Sequence, residues 1–281
     1  MRNLLNFHID NRDSFARVVF GYFLLLLLYR FHSSTFLAYQ YGQPMKGPEL
    51  DYAYWFSLCS GFPHYIIQHY WACLLVDIAV VVTAAACFIS DKYRNVFCTL
   101  LLVFFFVQRI TIETYACSHS KSMSPVFIAL LPFCFKKEET FQLLAEFSRY
   151  FLMYVLIASA FYKFHNGALL DPSNFATVLV NQHSDLATLN PGHLCYKIAS
   201  QLIAHPSFAA ISFILLFLTQ ASFILGVFTQ RYDRLLFIFL CIFAWLTYFI
   251  MRIYNLDITI LGLYLLYFPA ERISNKNKTT P

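Results

Sequence analysis

Charge is what this chain has least of. Of its 281 residues, 12% are Asp, Glu, Lys or Arg, against roughly 25% in an ordinary soluble domain. That scarcity excludes a disordered segment, a nucleic-acid-binding module and an ordinary cytosolic domain. The motifs G-x-x-x-x-G-K, G-x-G-x-x-G and G-x-S-x-G are all missing, which argues against nucleotide hydrolysis and the common serine hydrolase plan. Among the 8 cysteines there is no C-x-x-C pair, and His64 and His69 have no further ligand at finger-like spacing, so no zinc site is written in. No small-residue cleavage site follows the first apolar run, 18–28; Tyr29, Arg30 and His32 follow instead. That run reads as a retained anchor rather than a cleaved signal peptide.

Apolar sequence fills the space that charge leaves. Hydrophobic residues make up 59% of the chain, enough at roughly 20 per crossing for at most about eight transmembrane helices. The expected fold class is all-α: a polytopic membrane bundle of about eight transmembrane helices in a single domain over 1–281, with a core at about 12–270 and a cytoplasmic tail at 271–281. Apolar runs place helices near 16–37, 68–90, 96–116, 123–135, 141–164, 207–226, 235–251 and 256–269. The +5 net charge reads as topology, because Lys and Arg concentrate in cytoplasmic loops. With both termini inside, 12 Lys and Arg in the loops and tails fall on the cytoplasmic side, against Lys46, Lys121 and Lys197 outside. If 123–135 did not span, the alternation of every later loop would fail. Most cysteines read as small core residues; Cys59, Cys117 and Cys195 fall near the outer face, where a disulfide could form if that side is oxidising.

Two outer segments exceed simple turns. Residues 38–67 carry the aromatic cluster Tyr52, Tyr54, Trp55 and Phe56, suited to a headgroup level. Residues 166–206 contain two cap-then-proline starts, Asp171-Pro172 and Asn190-Pro191. After the second, Leu194, Ile198 and Leu202 share one face of an amphipathic helix. Such loops either roof a site or pack on the rim.

Ionisable residues within spans usually face the bundle interior or a water-filled cavity. Here Arg30, Asp77, Arg109, Glu113, Lys163, Arg252 and Asp257 fall in the outer half, with Glu146 and Arg149 toward the inner half. Their gathering suggests a polar chamber in the outer leaflet. Arg109 and Glu113, spaced i, i+4, and Glu146 and Arg149, spaced i, i+3, could equally neutralise themselves on one helix. Lys163 is the sharpest position, at the outer end of its helix beside His165 and Asn166. An ammonium withdrawn from water favours the neutral form that a general base needs, whereas a lysine at a helix end can also simply snorkel. Haem is a third option, since His32, His69, His119 and His165 lie near the outer ends of different helices.

Three stretches resemble a known family: Ser14-Phe15-Ala16-Arg17-Val18-Val19-Phe20-Gly21, then Cys117-Ser118-His119-Ser120, then Ala160-Phe161-Tyr162-Lys163-Phe164 followed by Gly167, Asp171-Pro172 and Phe175. Over about residues 12–270 the chain resembles the horizontally transferred transmembrane (HTTM) domain. That domain is related to the membrane part of vitamin K-dependent gamma-carboxylases and more distantly to DoxX/MauE-like proteins. The resemblance implies Lys163 and His119 as catalytic residues, the first a base toward a vitamin K-like quinol and the second an orienting group. Arg109 or Arg30 would steady the resulting anion, with Glu113, His165 and Asp257 in support. The large luminal part of the carboxylases has no counterpart here, which argues against a propeptide-guided carboxylase. Small bacterial members of the sporulation-delaying protein B type imply the alternative, a non-enzymatic partner for maturation or export of a small secreted peptide, and a bacterial inner membrane. The expected partners are thus the lipid bilayer with either a lipid-soluble quinone or a secreted peptide, and no nucleic acid.

Overall fold

A computed structural model describes residues 8–43, 55–56, 59–115, 123–168, 171, 173–252 and 256–266. Within these there is no strand. The chain divides into two compact units, the described residues within 8–146 and within 147–266 forming the body of each.

In the first unit, helix α1 (Arg12–His32) starts at Asn11, whose side chain accepts from Ser14 N at 2.9 Å, the usual way to satisfy a free N–H in a first turn. It stops at Ser33 and Ser34, the latter at φ 56°, before a 3-10 turn at Leu37–Gln40. Helix α2 (Phe62–Gln68) starts from Gly61 at φ 68°, with Pro63 in its first turn. Helices α3 (Tyr70–Ile89) and α4 (Arg94–Tyr115) are joined by a corner that Arg94 fastens. Its guanidinium donates to Cys87 O at 3.1 Å and pairs with Asp13 and Asp91, while Arg17 holds Asp91 at 2.9 Å. Helix α5 (Met123–Leu130) runs into a 3-10 turn, Leu131–Cys134. Its Phe133 packs with tilted rings against Phe20 at 5.1 Å and Phe141 at 5.4 Å, all three fully buried. Helix α6 (Glu138–His165) leaves this unit at residue 146.

The second unit takes the rest of α6, then α7 (Asn174–Leu189), α8 (Leu194–Ala204), α9 (Pro206–Ala221), α10 (Ile224–Phe228), α11 (Asp233–Met251) and α12 (Thr259–Leu266). The last carbonyls of α10, at its end near Phe228, need partners from outside the helix. Arg149, fully buried on α6, supplies them: it donates to Gly226 O at 2.7 Å and makes two 2.8 Å bonds to Asp233, which is equally buried. Gly226 permits this approach, because a Cβ there would lie 2.5 Å from the Met153 methyl and 2.9 Å from Leu236 Cδ1. Helix α11 ends at Arg252 in the left-handed conformation, φ 53°. A 3-10 turn at Leu256–Ile258 then leads into α12, which is buried along nearly its whole length.

Six of these elements are long and apolar enough to cross a membrane: Arg12–Gln40, Tyr70–Ile89, Arg94–Tyr115, Glu138–His165, Pro206–Phe228 and Asp233–Met251. The expected spans at 123–135 and 256–269 appear as the shorter apolar helices Pro125–Cys134 and Leu256–Leu266. At about 1.5 Å per residue they cover roughly half of a 30 Å hydrocarbon core. Eight full spans are therefore not seen among the described residues. The helix expected from Asn190-Pro191 begins later, at Leu194, with His193 as its cap, accepting from Cys195 N at 3.2 Å. Its Leu194 and Ile198 point outward while Ala199 is buried.

Removing one partner of a buried ion pair strands the other. Arg149→Met and Asp233→Leu should each lower stability by about 3–5 kcal/mol. The double variant should lose less than their sum, read by thermal unfolding of the detergent-solubilised protein.

Candidate functional site

On α6 the buried stripe runs through Leu152, Leu156 and Ala160. At about 100° per residue, Lys163 lies within a quarter turn of Leu152, Leu156 and Ser159 on that face. Helical side chains lean toward the N-terminus, and Lys163 follows that lean into its own unit instead of snorkelling outward. Its Nζ donates to Gln220 Oε1 and lies 5.9 Å from the centre of the Phe213 ring, both on α9. The other end of the same carboxamide, Gln220 Nε2, donates to Ser159 Oγ at 3.2 Å. Phe213 is held in turn by a stacked Phe175 from α7, centroids 5.2 Å apart. Among the described residues no carboxylate pairs with Lys163. The cluster is an amine seated between a carboxamide oxygen and an aromatic face, with a hydroxyl at the far end of the amide. Such an amine can sit there protonated or neutral, because neither contact requires its charge.

The other expected site residues fall as follows. His165 turns to the opposite face of α6, exposed and stacked on Phe161 at 6.0 Å with planes 9° apart, so it is not brought to the Lys163 amine. Asp257 is fully buried in the 3-10 turn before α12. Arg30, Arg109 and Glu113 belong to the first unit. There Arg30 is buried with its guanidinium 5.6 Å from the Phe105 centroid, and Arg109 Nη2 stands 3.7 Å from Glu113 Oε1, the i, i+4 neutralisation that the spacing allows. His119 and Cys117 lie outside the described residues. His64 and His69 do not converge on a metal: His64 meets Tyr115 Oη at 3.0 Å and Gln68 at 2.8 Å, while His69 Nδ1 meets Tyr65 O at 2.7 Å. Cys59 and Cys195 are free thiols.

No family model matches the chain. Neither the curated proteins nor the solved structures yield a match. The functional reading therefore stands on the residues themselves, and two of them belong to no motif of the sequence. Gln220 is the lone amide deep in the apolar run 207–226, and a lone amide in such a run needs a polar partner. Gln108 plays the same part in the first unit, donating to Asp77 Oδ1 at 2.6 Å.

Asp77 also accepts from Leu37 N at 3.2 Å and Ala38 N at 2.8 Å. It thus ties the turn after α1 to α3 and α4. Beside it runs an apolar groove of about 560 Å³ between α1 and α3, walled by Leu24, Leu28, Leu74, Ile78 and Val82. Asp77 already accepts three hydrogen bonds, so its first role is to fasten the unit. A second groove, about 490 Å³, follows Tyr150, Tyr154, Ile157 and Phe161. These lie roughly half a turn of α6 from Lys163, so that groove does not serve the amine.

At the end of α11 the second unit makes a polar tie to α7. Arg252 pairs with Asp185 and reaches Gln182 O at 3.4 Å, and the buried His183 meets Ile250 O at 2.7 Å. The Arg252 hydrogen bond holds the Asp185 carboxyl below its ordinary value. A carboxylate held low contributes stability that is complete above the unfolded value of about 4 and fades as pH falls through the lower folded one. The protection factors of α7 amides, in which the intrinsic pH dependence of hydrogen exchange is divided out, should therefore be unchanged from neutral pH to about pH 4 and fall below it. Asp185→Asn should remove that step.

Proposed function

We propose that the chain is a multi-pass membrane protein that uses Lys163 as a proton-accepting base toward a quinol, or a similarly lipid-soluble molecule bearing an acidic hydroxyl. The apolar helices are compatible with an integral membrane protein. The observation that carries the reading is the seat of the Lys163 amine, turned inward and held by Gln220 Oε1 and the Phe213 ring with no carboxylate partner among the described residues. A base must be able to lose and regain its proton, and a buried lysine locked to a carboxylate is fixed in the charged state. Lys163 avoids that lock. A bound quinol would supply two hydroxyls of ordinary phenolic acidity and an apolar tail that enters from lipid.

In this reading Lys163 Nζ accepts the hydroxyl proton, and Gln220 keeps the amine lone pair within reach by receiving one of its N–H groups. Ser159, at the far end of the carboxamide, fixes which way the amide faces. Gln220 is a positioning residue. Phe213 and Phe175 form an apolar wall against which a flat ring can rest. His119 as an orienting or charge-stabilising group belongs to the same proposal on the strength of the family resemblance.

The test begins with a solvent extract of the purified protein, examined by mass spectrometry for quinones. Titration of a short-chain naphthoquinol into detergent-solubilised protein follows, read by tryptophan fluorescence. Lys163→Met should weaken binding by about ten- to a hundredfold, the loss of one hydrogen bond to a charged or ionising group, with the thermal midpoint within a few degrees of wild type. Gln220→Leu should weaken it less. Equal affinity in wild type and Lys163→Met overturns the reading, and a copurifying peptide with Lys163→Met tolerated favours the export-partner alternative.

A further inference from the structure

The first unit holds a second chemical feature that the proposed base does not use. Cys98, on α4, and Cys134, closing the 3-10 turn after α5, bring their sulfurs to 3.6 Å, with Cys134 Sγ donating to Cys98 Sγ. Cys98 Sγ in turn donates to Leu130 O at 3.3 Å, and Cys87 Sγ, from the end of α3, reaches Arg94 O at 3.9 Å. From sequence alone, Cys87 and Cys98 read as small core residues, and packing does not require two thiols to face each other across 36 residues of chain. A disulfide closes at about 2.05 Å between sulfurs. The remaining gap of about 1.5 Å is within what side-chain torsions absorb once the sulfurs already face each other. Cys98 is fully buried, whereas Cys134 is partly exposed, so an arriving oxidant meets Cys134 first.

We propose that Cys98 and Cys134 are a redox-active dithiol that closes to a disulfide when a peroxide oxidises it by two electrons. The Cys134 sulfur attacks one peroxide oxygen. An S–O bond forms, the O–O bond breaks, and the departing hydroxide takes up the thiol proton as water, leaving a sulfenic acid. The Cys98 sulfur then attacks the sulfenic sulfur. The S–S bond forms, the S–O bond breaks, and the second hydroxide leaves as water with the Cys98 proton. Two thiols and one hydrogen peroxide thus give one disulfide and two waters. The new bond fastens the 3-10 extension of α5 to α4 covalently, beside the hold that Phe133 has on Phe20 of α1 and Phe141 of α6, and it replaces the weaker Cys134 to Cys98 hydrogen bond.

The experiment uses the full chain in detergent, reduced with dithiothreitol, desalted and treated with hydrogen peroxide. Thiols are then capped with N-ethylmaleimide under denaturing conditions, and the digest is read by mass spectrometry. The expected result is a linked peptide joining Cys98 to Cys134, a fall of about tenfold in the capped form of both, and recovery of both on renewed reduction. Cys98→Ser should leave Cys134 as a sulfenic acid that dimedone traps. Cys87→Ser should leave the linkage unchanged. Cys98 linked to Cys87 instead, or both thiols still capped after oxidation, overturns the proposal. The wild-type linkage decides the matter even if a variant fails to fold, and no step involves Lys163 or a quinol.

Discussion

A polar group inside a hydrocarbon slab has no water to turn to, so every such group in the long helices must find its partner within the chain. That constraint accounts for most of the side-chain hydrogen bonds in the spans. Thr83, Thr111, Thr114 and Thr247 each return a hydroxyl to the carbonyl four residues earlier, at 2.6 to 2.9 Å. These satisfy themselves locally and decide nothing about the fold. Asp77 and Arg149 cannot be satisfied on their own helices, and each recruits its partners from elsewhere in its unit. Asp77 gathers Gln108 and the N–H groups of Leu37 and Ala38. Arg149 gathers Asp233 and the carbonyl of Gly226. Each thus keys neighbouring elements of its own unit together, Asp77 the turn after α1 to α4 and Arg149 the end of α10 to α11.

The second of these keys has the larger consequence. The interior carbonyls of a helix need no outside partner, but its last ones do. The end of α10 at Phe228 leaves Gly226 O among those last carbonyls, and the guanidinium fork of Arg149 fits that need because it presents several donors in one plane. Asp233 then balances the charge that the fork brings. Ending the helix there, burying the arginine and burying the aspartate are therefore one arrangement, and removing either side chain alone would leave an unpaired group in the core.

Much of the fold is legible in the sequence because hydrophobic runs and helix length are local properties. The long apolar helices at Tyr70–Ile89, Arg94–Tyr115 and Asp233–Met251 fall within a few residues of where the runs place them. The short elements are harder to read, since an apolar run does not reveal whether it crosses a bilayer or ends at a proline such as Pro132. The spacing of Arg109 and Glu113 describes their 3.7 Å contact well, because both lie on one helix. The partners of Arg149, Lys163 and Cys98 were not legible, since Asp233, Gln220 and Cys134 lie 84, 57 and 36 residues away. Only the burden of a polar group within an apolar run hinted that such partners had to exist.

Arg149 and Lys163 give the sharpest contrast, because they stand on the same helix. Fourteen residues apart, they lie about 21 Å along the axis and within roughly 40° of the same face. One surrounding answers the cation with a bidentate carboxylate and backbone carbonyls; the other offers a carboxamide oxygen and an aromatic ring. A purely structural lysine on that face would be better served by an acid, as Arg149 is, or by an apolar residue in its place. A lysine given only neutral contacts keeps the option of releasing its proton and taking it back. On one helix, the residue with a fixed charge holds the unit together, and the residue given only neutral contacts is the one we propose for chemistry.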